Sequence, residues 1–211
     1  EEQIQSCNRE FSHFIESNYE SWMRTNNRPT LSPDIVSKYV QPILEQDKKV
    51  CLLVVDCMRH DHFKSMMDLL EPFFNIVIDY KFSLLPTATP YSRNAIFSGL
   101  YPDEMVKKYP QQAEDMKNNA PSLNQHEKQF LIDQLKKYGW KEKRAHFHKT
   151  WPVEEGKRSQ NRIRDYINQH GLPLLLNFVN FPAHKISKMN VRKDCLLYTS
   201  DAAEDLTLIV Y

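Results

Sequence analysis

Residues 50–56 read VCLLVVD, six apolar residues followed directly by Asp56, and this stretch decides the fold. A continuous apolar run of this kind is typical of a strand that is buried on both faces, as in a parallel sheet. A helical pattern follows over 61–70, and a second strand pattern follows over 74–82. Strands that alternate with helices in this way predict an α/β fold.

The rest of the chain extends this alternation. Residues 1–26 carry an apolar stripe at three- and four-residue steps, which predicts one helix that packs on the domain after it. Ser32 and Pro33 predict the N-cap and first turn of a second helix, which ends near Glu45. Further elements are predicted at 91–97 (helix), 131–138 (helix), 145–149 (strand), 156–169 (helix) and 172–179 (buried strand). The predicted architecture is a three-layer α/β sandwich with a mostly parallel sheet, preceded by a helical linker.

Length, charge and cysteine content narrow the class of protein. The chain has 211 residues, which fits one α/β domain with an appendage. Its net charge of +1 argues against a strongly cationic protein that grasps a nucleic-acid backbone. No apolar run approaches the ~18 residues of a transmembrane helix, and the polar start EEQIQSCNREF has no signal-peptide pattern. The four cysteines form no CxxC pair, so we expect a cytoplasmic protein with no membrane partner.

Polar residues follow both buried strand patterns, at the sheet edge where α/β proteins place their reactive groups. Asp56 comes directly after VCLLVV, and Asn180 and His184 follow the run LPLLLNFV. A carboxylate at the end of a buried strand is costly unless it is paired or binds a cation, and histidine is a common metal ligand. These residues predict a metal site. The alternatives are that Asp56 caps the next helix or pairs with Arg59, and that His184 is solvated.

The segment PTAT at 86–89 leads into a helix and places a hydroxyl at its N-terminus. Backbone N–H groups and the helix dipole favour an anion there, which suits phosphate chemistry. Threonine needs a base or a metal to become a nucleophile, and the alternative is that Thr89 is only the N-cap. Arg93, one turn into the helix, is predicted to contact a phosphate oxygen; its alternative is a surface salt bridge.

Three segments carry a resemblance to a known family: LVVDCMRHDHF, LLPTATPYSRNAIFSGLYPDEM and LNFVNFPAHKI. Together they resemble the PglZ domain of the alkaline-phosphatase superfamily, and most of all the PorX-type response regulators of the type IX secretion system. The similarity covers roughly residues 10–190. It implies that Thr89 is the nucleophile, with Thr87 as the fallback. It also implies a metal site held by Asp56, Thr89, Asn180 and His184.

The resemblance further implies the chemistry and the partners. The family has two zinc ions, one activating the threonine oxygen and both clamping the phosphoryl oxygens. The implied activity is hydrolysis of phosphodiesters, in PorX-like proteins of small oligonucleotides, through a covalent threonine intermediate. The implied context is two-component signalling: a receiver domain precedes this domain in the full-length protein, and a homodimer is compatible with the family.

Several features depart from the family pattern. Asn180 stands where the D-x-x-x-H pair has Asp, and a neutral amide is expected to weaken zinc binding. The later Asp-His motif and final His are absent, with Ala202 where that His belongs. The end of the chain, CLLYTSDAAEDLTLIVY, resembles translated sequencing-adapter read-through; the alternative is a genuine C-terminal strand.

The predicted organisation is a helical linker at 1–46, a partial PglZ domain at 47–193 and a non-native tail at 194–211. We expect a truncated piece of a longer protein that is itself inactive or nearly so. The rival hypothesis is a non-catalytic regulatory module that binds a partner or an oligonucleotide and in which the metal is vestigial. A sulfatase or phosphomutase relative is disfavoured, because PTAT is neither a Cys- nor a Ser-centred motif.

Overall fold

The computed structural model describes residues 2–56, 60–117, 125–140, 145–150, 174–180 and 206–210. For β2, β3 and β4 and for Asp56 and Thr89 it describes the backbone; Phe147 of β2 also has a described side chain. The α-helices are α1 Glu2–Arg24, α2 Gln41–Glu45, α3 His60–Leu70, α4 Thr89–Ser98, α5 Pro102–Lys108, α6 Pro110–Lys117 and α7 Glu127–Lys137. The strands are β1 Val50–Asp56, β2 Ala145–Thr150, β3 Leu174–Asn180 and β4 Leu206–Val210.

The four strands form one sheet in the order β2-β3-β1-β4. β3 runs parallel to both of its neighbours, β1 and β2, and β4 lies antiparallel along the other edge of β1. The α/β prediction is therefore correct. The apolar runs predicted as buried strands at 50–55 and 172–179 correspond to the two central strands, β1 and β3.

Alternate residues of β1 face different helices. Val50, Leu52 and Val54 belong to the main core, which is completed by residues of the preceding helical segment and of α4, α5 and α7. Val55 packs instead against Phe63 of α3. Successive side chains of a strand point to opposite faces, so helices cover β1 on both sides. This explains why its sequence is a continuous apolar run.

The predicted strand at 74–82 is wrong. The structure has a single bridge there, between Phe82 and Leu31, and Val77 and Tyr80 are exposed. Both edges of β1 are paired, one with β3 and the other with β4, so the segment does not lie beside the central strand. Apart from the bridge to Leu31 it forms no pairing within the described sheet, and its strand-like composition is therefore not realised as a strand.

Other predicted elements are present with altered bounds. The helix predicted at 1–26 is α1, and those predicted at 91–97 and 131–138 are α4 and α7. The helix predicted to end near Glu45 consists of three turns of different type: a 3-10 turn at Ser32–Asp34, a π-turn at Val36–Val40 and α2. The helix predicted at 156–169 lies outside the described residues.

Gly99 ends α4, and two features of its position require glycine. Its φ of 62° is left-handed, and a Cβ there would come within 2.2 Å of Nε2 of the buried Gln134. We expect Gly99→Ala to lower the free energy of unfolding by about 2 kcal/mol or more, from backbone strain plus displacement of Gln134. The matched control is Gly139→Ala, where φ is 82° but no atom lies within 4 Å of the added Cβ. Strain alone is expected to cost about 1 kcal/mol there. Urea unfolding of both variants measures the difference, and equal losses would contradict the role assigned to Gln134.

Candidate active site

The parallel pairing of β1 with β3 brings two of the predicted metal ligands together. Asp56 and Asn180 are direct partners in the register, each at the carboxyl end of its strand. Neighbouring strands lie about 4.8 Å apart, so the two residues are adjacent at one sheet edge. The side chains of both residues, and the whole of His184, lie outside the described residues. The backbone therefore places an acidic residue beside an amide residue at the carboxyl edge of the sheet, which is where α/β folds bind ligands.

The predicted nucleophile, Thr89, is the first residue of α4. Ala88 is the N-cap, with extended φ and ψ of −61° and 142°, and its carbonyl accepts hydrogen bonds from the N–H groups of Tyr91 and Ser92. The alternative in which Thr89 itself is the N-cap is therefore wrong by one position. Its side chain lies outside the described part of the chain. The position at the start of a ten-residue helix is the one at which backbone and dipole favour an anion.

Arg93 does not lie at the surface. Its side chain is 1% exposed, and its Nε donates to Oε1 of Glu127 at 2.5 Å, with the Glu127 side chain fully buried. The alternative of a surface salt bridge is wrong, since the ion pair is internal and joins α4 to the start of α7. The contact between Arg93 and a phosphate stays a prediction. Sequence reasoning missed Glu127, because an acidic residue in a first helical turn is ordinary on electrostatic grounds.

Cys51 of β1 is a poor candidate for a nucleophile or a metal ligand. Burial raises the pKa of Cys51 to about 11, whereas a nucleophile or metal ligand must be a thiolate. At pH 8 about 0.1% of a thiol with that pKa is ionised. We therefore expect iodoacetamide to modify the exposed Cys7 much faster than Cys51 in the native protein, with both reacting after denaturation. Peptide mass mapping would read each site separately, and equal rates in the native state would contradict the burial of Cys51.

Among side chains that the structure describes, no group of three or more His, Cys, Asp or Glu is placed to hold a metal ion. None of the described helices has the length and hydropathy needed to cross a bilayer.

The profile of the BREX system PglZ alkaline phosphatase-like domain matches residues 35–146. The chain belongs to this family. Comparison with curated proteins found no match. The part of the resemblance that named the PglZ domain is thus confirmed, and the alkaline phosphatase-like description supports an α/β protein of a phosphoesterase-type superfamily.

The PglZ match includes some of the predicted site and leaves out the rest. It contains Asp56, Thr89 and Arg93, and it ends inside β2, before Asn180 and His184. It begins at residue 35, after α1 and within the helical segment that precedes β1. The boundaries placed by sequence at 46/47 and 193/194 stay predictions.

Proposed function

We propose that this chain is part of a metal-dependent phosphodiesterase of the PorX type, with Thr89 as its nucleophile. The observation that carries the proposal is the register pairing of Asp56 with Asn180 at the carboxyl edge of the sheet, in a chain of the PglZ family. Thr89 at the N-terminus of α4 supplies the second half of the site. A carboxylate for a cation and a hydroxyl at an anion-binding helix end together suit phosphoryl transfer.

The donor residues fit zinc. Asp56 and His184 offer a carboxylate and an imidazole, both ordinary zinc ligands, and Asn180 adds a weaker amide oxygen. When bound, zinc would lower the pKa of the attacking hydroxyl and stabilise charge on the phosphoryl oxygens. Two ions are proposed, as in the family, with Thr89 contributing its oxygen as a ligand. Asn180 in place of Asp is expected to make binding weaker than in an intact D-x-x-x-H site.

In the proposed reaction Thr89 forms and then loses a covalent bond to phosphorus. The Thr89 oxygen attacks phosphorus, the bond from phosphorus to the leaving alkoxide or aryloxide breaks, and the hydroxyl proton leaves to a base or to solvent. The product is a threonine phosphodiester that keeps the second ester group of the substrate, and the departing alkoxide takes up a proton. Water then cleaves the bond from phosphorus to the Thr89 oxygen, which releases a phosphate monoester and restores the hydroxyl. The backbone at the start of α4 favours the negatively charged phosphoryl group through both steps. If Arg93 contacts that group, it does so from a buried position that α7 helps to fix.

The wider context belongs to the same proposal. We place this domain in the cytoplasm, in a three-layer sandwich, within a longer signalling protein that carries a receiver domain and that can form a homodimer. The proposed substrates are phosphodiesters of the class of small oligonucleotides. Packing of helices on both faces of β1 supports the three layers, and the near-neutral charge favours a short substrate over a long nucleic-acid backbone.

Hydrolysis of bis-p-nitrophenyl phosphate tests the proposal. The longer protein that contains this chain is expected to release p-nitrophenol in the presence of zinc, to lose this activity with a chelator and to regain it when zinc is restored. The 211-residue chain alone is expected to be inactive or nearly so, because the Asp-His motif and final His are absent from it. Zinc-dependent turnover by the 211-residue chain would contradict the proposal that its metal site is incomplete.

The rival function is a non-catalytic regulatory module in which metal binding is vestigial. The neutral Asn180 favours this rival, since it removes a charge from the proposed ligand set. The coding sequence downstream distinguishes the two functions: an intact Asp-His motif supports the enzyme, and its loss supports the module. A longer protein that hydrolyses no phosphodiester under any zinc concentration would favour the module as well.

A further inference from the structure

Two consecutive amides in the loop of residues 84–88, here called the threonine loop, donate hydrogen bonds to hydroxyls from outside the loop. The Leu84 N–H donates to Oγ of Ser32 at 3.2 Å, and the Leu85 N–H donates to the hydroxyl of Tyr19 at 2.7 Å. The next residue is a proline, which has no N–H to satisfy. The backbone that approaches the nucleophile is therefore held by two side chains from earlier in the sequence.

Ser32 also connects the threonine loop to the helix after it. Its Oγ lies 3.0 Å from Oγ of Ser92, one turn beyond Thr89, and both serines are fully buried. The prediction that Ser32 is an N-cap is wrong by one position. Leu31 is the N-cap of the 3-10 turn, and its N–H donates to the Asp34 carboxylate at 2.8 Å. One hydroxyl thus contacts the chain on both sides of the proposed nucleophile.

Tyr19 belongs to α1, and the C-terminal half of α1 packs against the segment that enters the threonine loop. The ring of Trp22 lies 4.9 Å from that of Phe82, centroid to centroid. Met23 packs on the small core cluster that contains Leu84. Tyr19 and Ser32 both precede residue 35, where the PglZ match begins. The groups that hold the loop therefore come from the segment before the matched domain sequence.

We propose that Tyr19 and Ser32 are positioning residues, whose hydroxyls hold the threonine loop and thereby set the place of Thr89 relative to the strand ends. The role of Thr89 as the nucleophile rests on the proposed function. The two hydrogen bonds that fix the threonine loop do not depend on it. Misplacing a reacting atom by about 1 Å can cost as much as 10²-fold in rate.

Amide hydrogen exchange on the 211-residue chain tests the hold directly. Tyr19→Phe keeps the ring and removes the acceptor, so the Leu85 amide is expected to exchange about 2- to 10-fold faster, as for the loss of one net hydrogen bond. The matched control, Tyr80→Phe, removes a hydroxyl from an exposed tyrosine and is expected to leave Leu85 unchanged. Ser32→Ala is expected to accelerate Leu84 instead. An unchanged Leu85 rate in Tyr19→Phe, at unchanged global stability, overturns the inference.

Kinetics of the longer protein test the consequence for Thr89. Tyr19→Phe is expected to lower kcat by about 10-fold with little change in KM, because the substrate site stays while the nucleophile is less well placed. Faster Leu85 exchange with wild-type kcat would overturn the positioning role. If the wild-type longer protein shows no turnover at all, the proposed function fails, and the exchange experiment still decides whether the two hydroxyls hold the loop.

Discussion

Replacing Glu127 with alanine is expected to lower the free energy of unfolding by about 3–5 kcal/mol, the usual cost of removing one partner of a buried ion pair. The Arg93 and Glu127 side chains are 1% and 0% exposed, and their charged groups meet at 2.5 Å. In Glu127→Ala the guanidinium stays in the interior and loses its ion pair with Glu127, which helps to offset its desolvation. Arg93 lies in α4, the helix that starts at Thr89. The same variant is therefore expected to disturb the position of Thr89 as well as to lower stability.

Two controls separate the effect of burial from the effect of the charges. In the double variant Arg93→Met, Glu127→Met both charges are replaced by apolar groups of similar length, and stability is expected to recover most of the loss. Asp103→Ala removes an exposed pair with Lys107 at 3.3 Å and is expected to change stability by less than about 0.5 kcal/mol. Urea unfolding at constant ionic strength measures all three. A Glu127→Ala loss no larger than that of Asp103→Ala would contradict the importance of the internal pair.

The adjacency of Asp56 and Asn180 illustrates what the sequence made predictable. Both residues end apolar runs, and the carboxyl ends of parallel strands share one edge, so their approach followed from the pattern. That they are direct register partners did not follow, because 123 intervening residues, from 57 to 179, leave the pairing of the strands open. Register is fixed by packing on both faces of the sheet, which a single strand's composition does not encode.

The segment 74–82 and Arg93 show where local patterns lose to long-range contacts. Ile76 and Ile78 alternate as in a strand, but the second edge of β1 is paired with β4, a strand that lies inside the predicted tail of 194–211. For Arg93 the overturned expectation is the surface salt bridge that was the alternative to a phosphate contact. In the structure α4 is buried over most of its length, and the partner of Arg93 comes from 34 positions later in the chain.

The second large effect concerns Thr89. In the longer protein, Thr89→Val is expected to reduce zinc-dependent turnover by on the order of 10³-fold or more, since the variant lacks the attacking oxygen. Thr89→Ser keeps the hydroxyl and is expected to retain turnover. Acid quench during turnover of a phosphodiester labelled on its phosphorus should trap the covalent threonine phosphodiester in the wild type and not in the valine variant. The matched control is Thr87→Val, which removes a hydroxyl two residues earlier and is expected to leave turnover within the same order of magnitude.

Stability measurements on these variants distinguish a nucleophile from a helix cap. If Thr89 were the N-cap, its loss would cost about 1 kcal/mol of stability. Because Ala88 occupies that position with extended backbone angles, Thr89→Val is expected to unfold at the wild-type urea concentration while losing turnover. A valine variant that loses stability but keeps its activity would return Thr89 to a structural role. Loss of activity in Thr87→Val alone would move the nucleophile to Thr87, which lies within the threonine loop and is two residues nearer the backbone amides that Tyr19 and Ser32 hold.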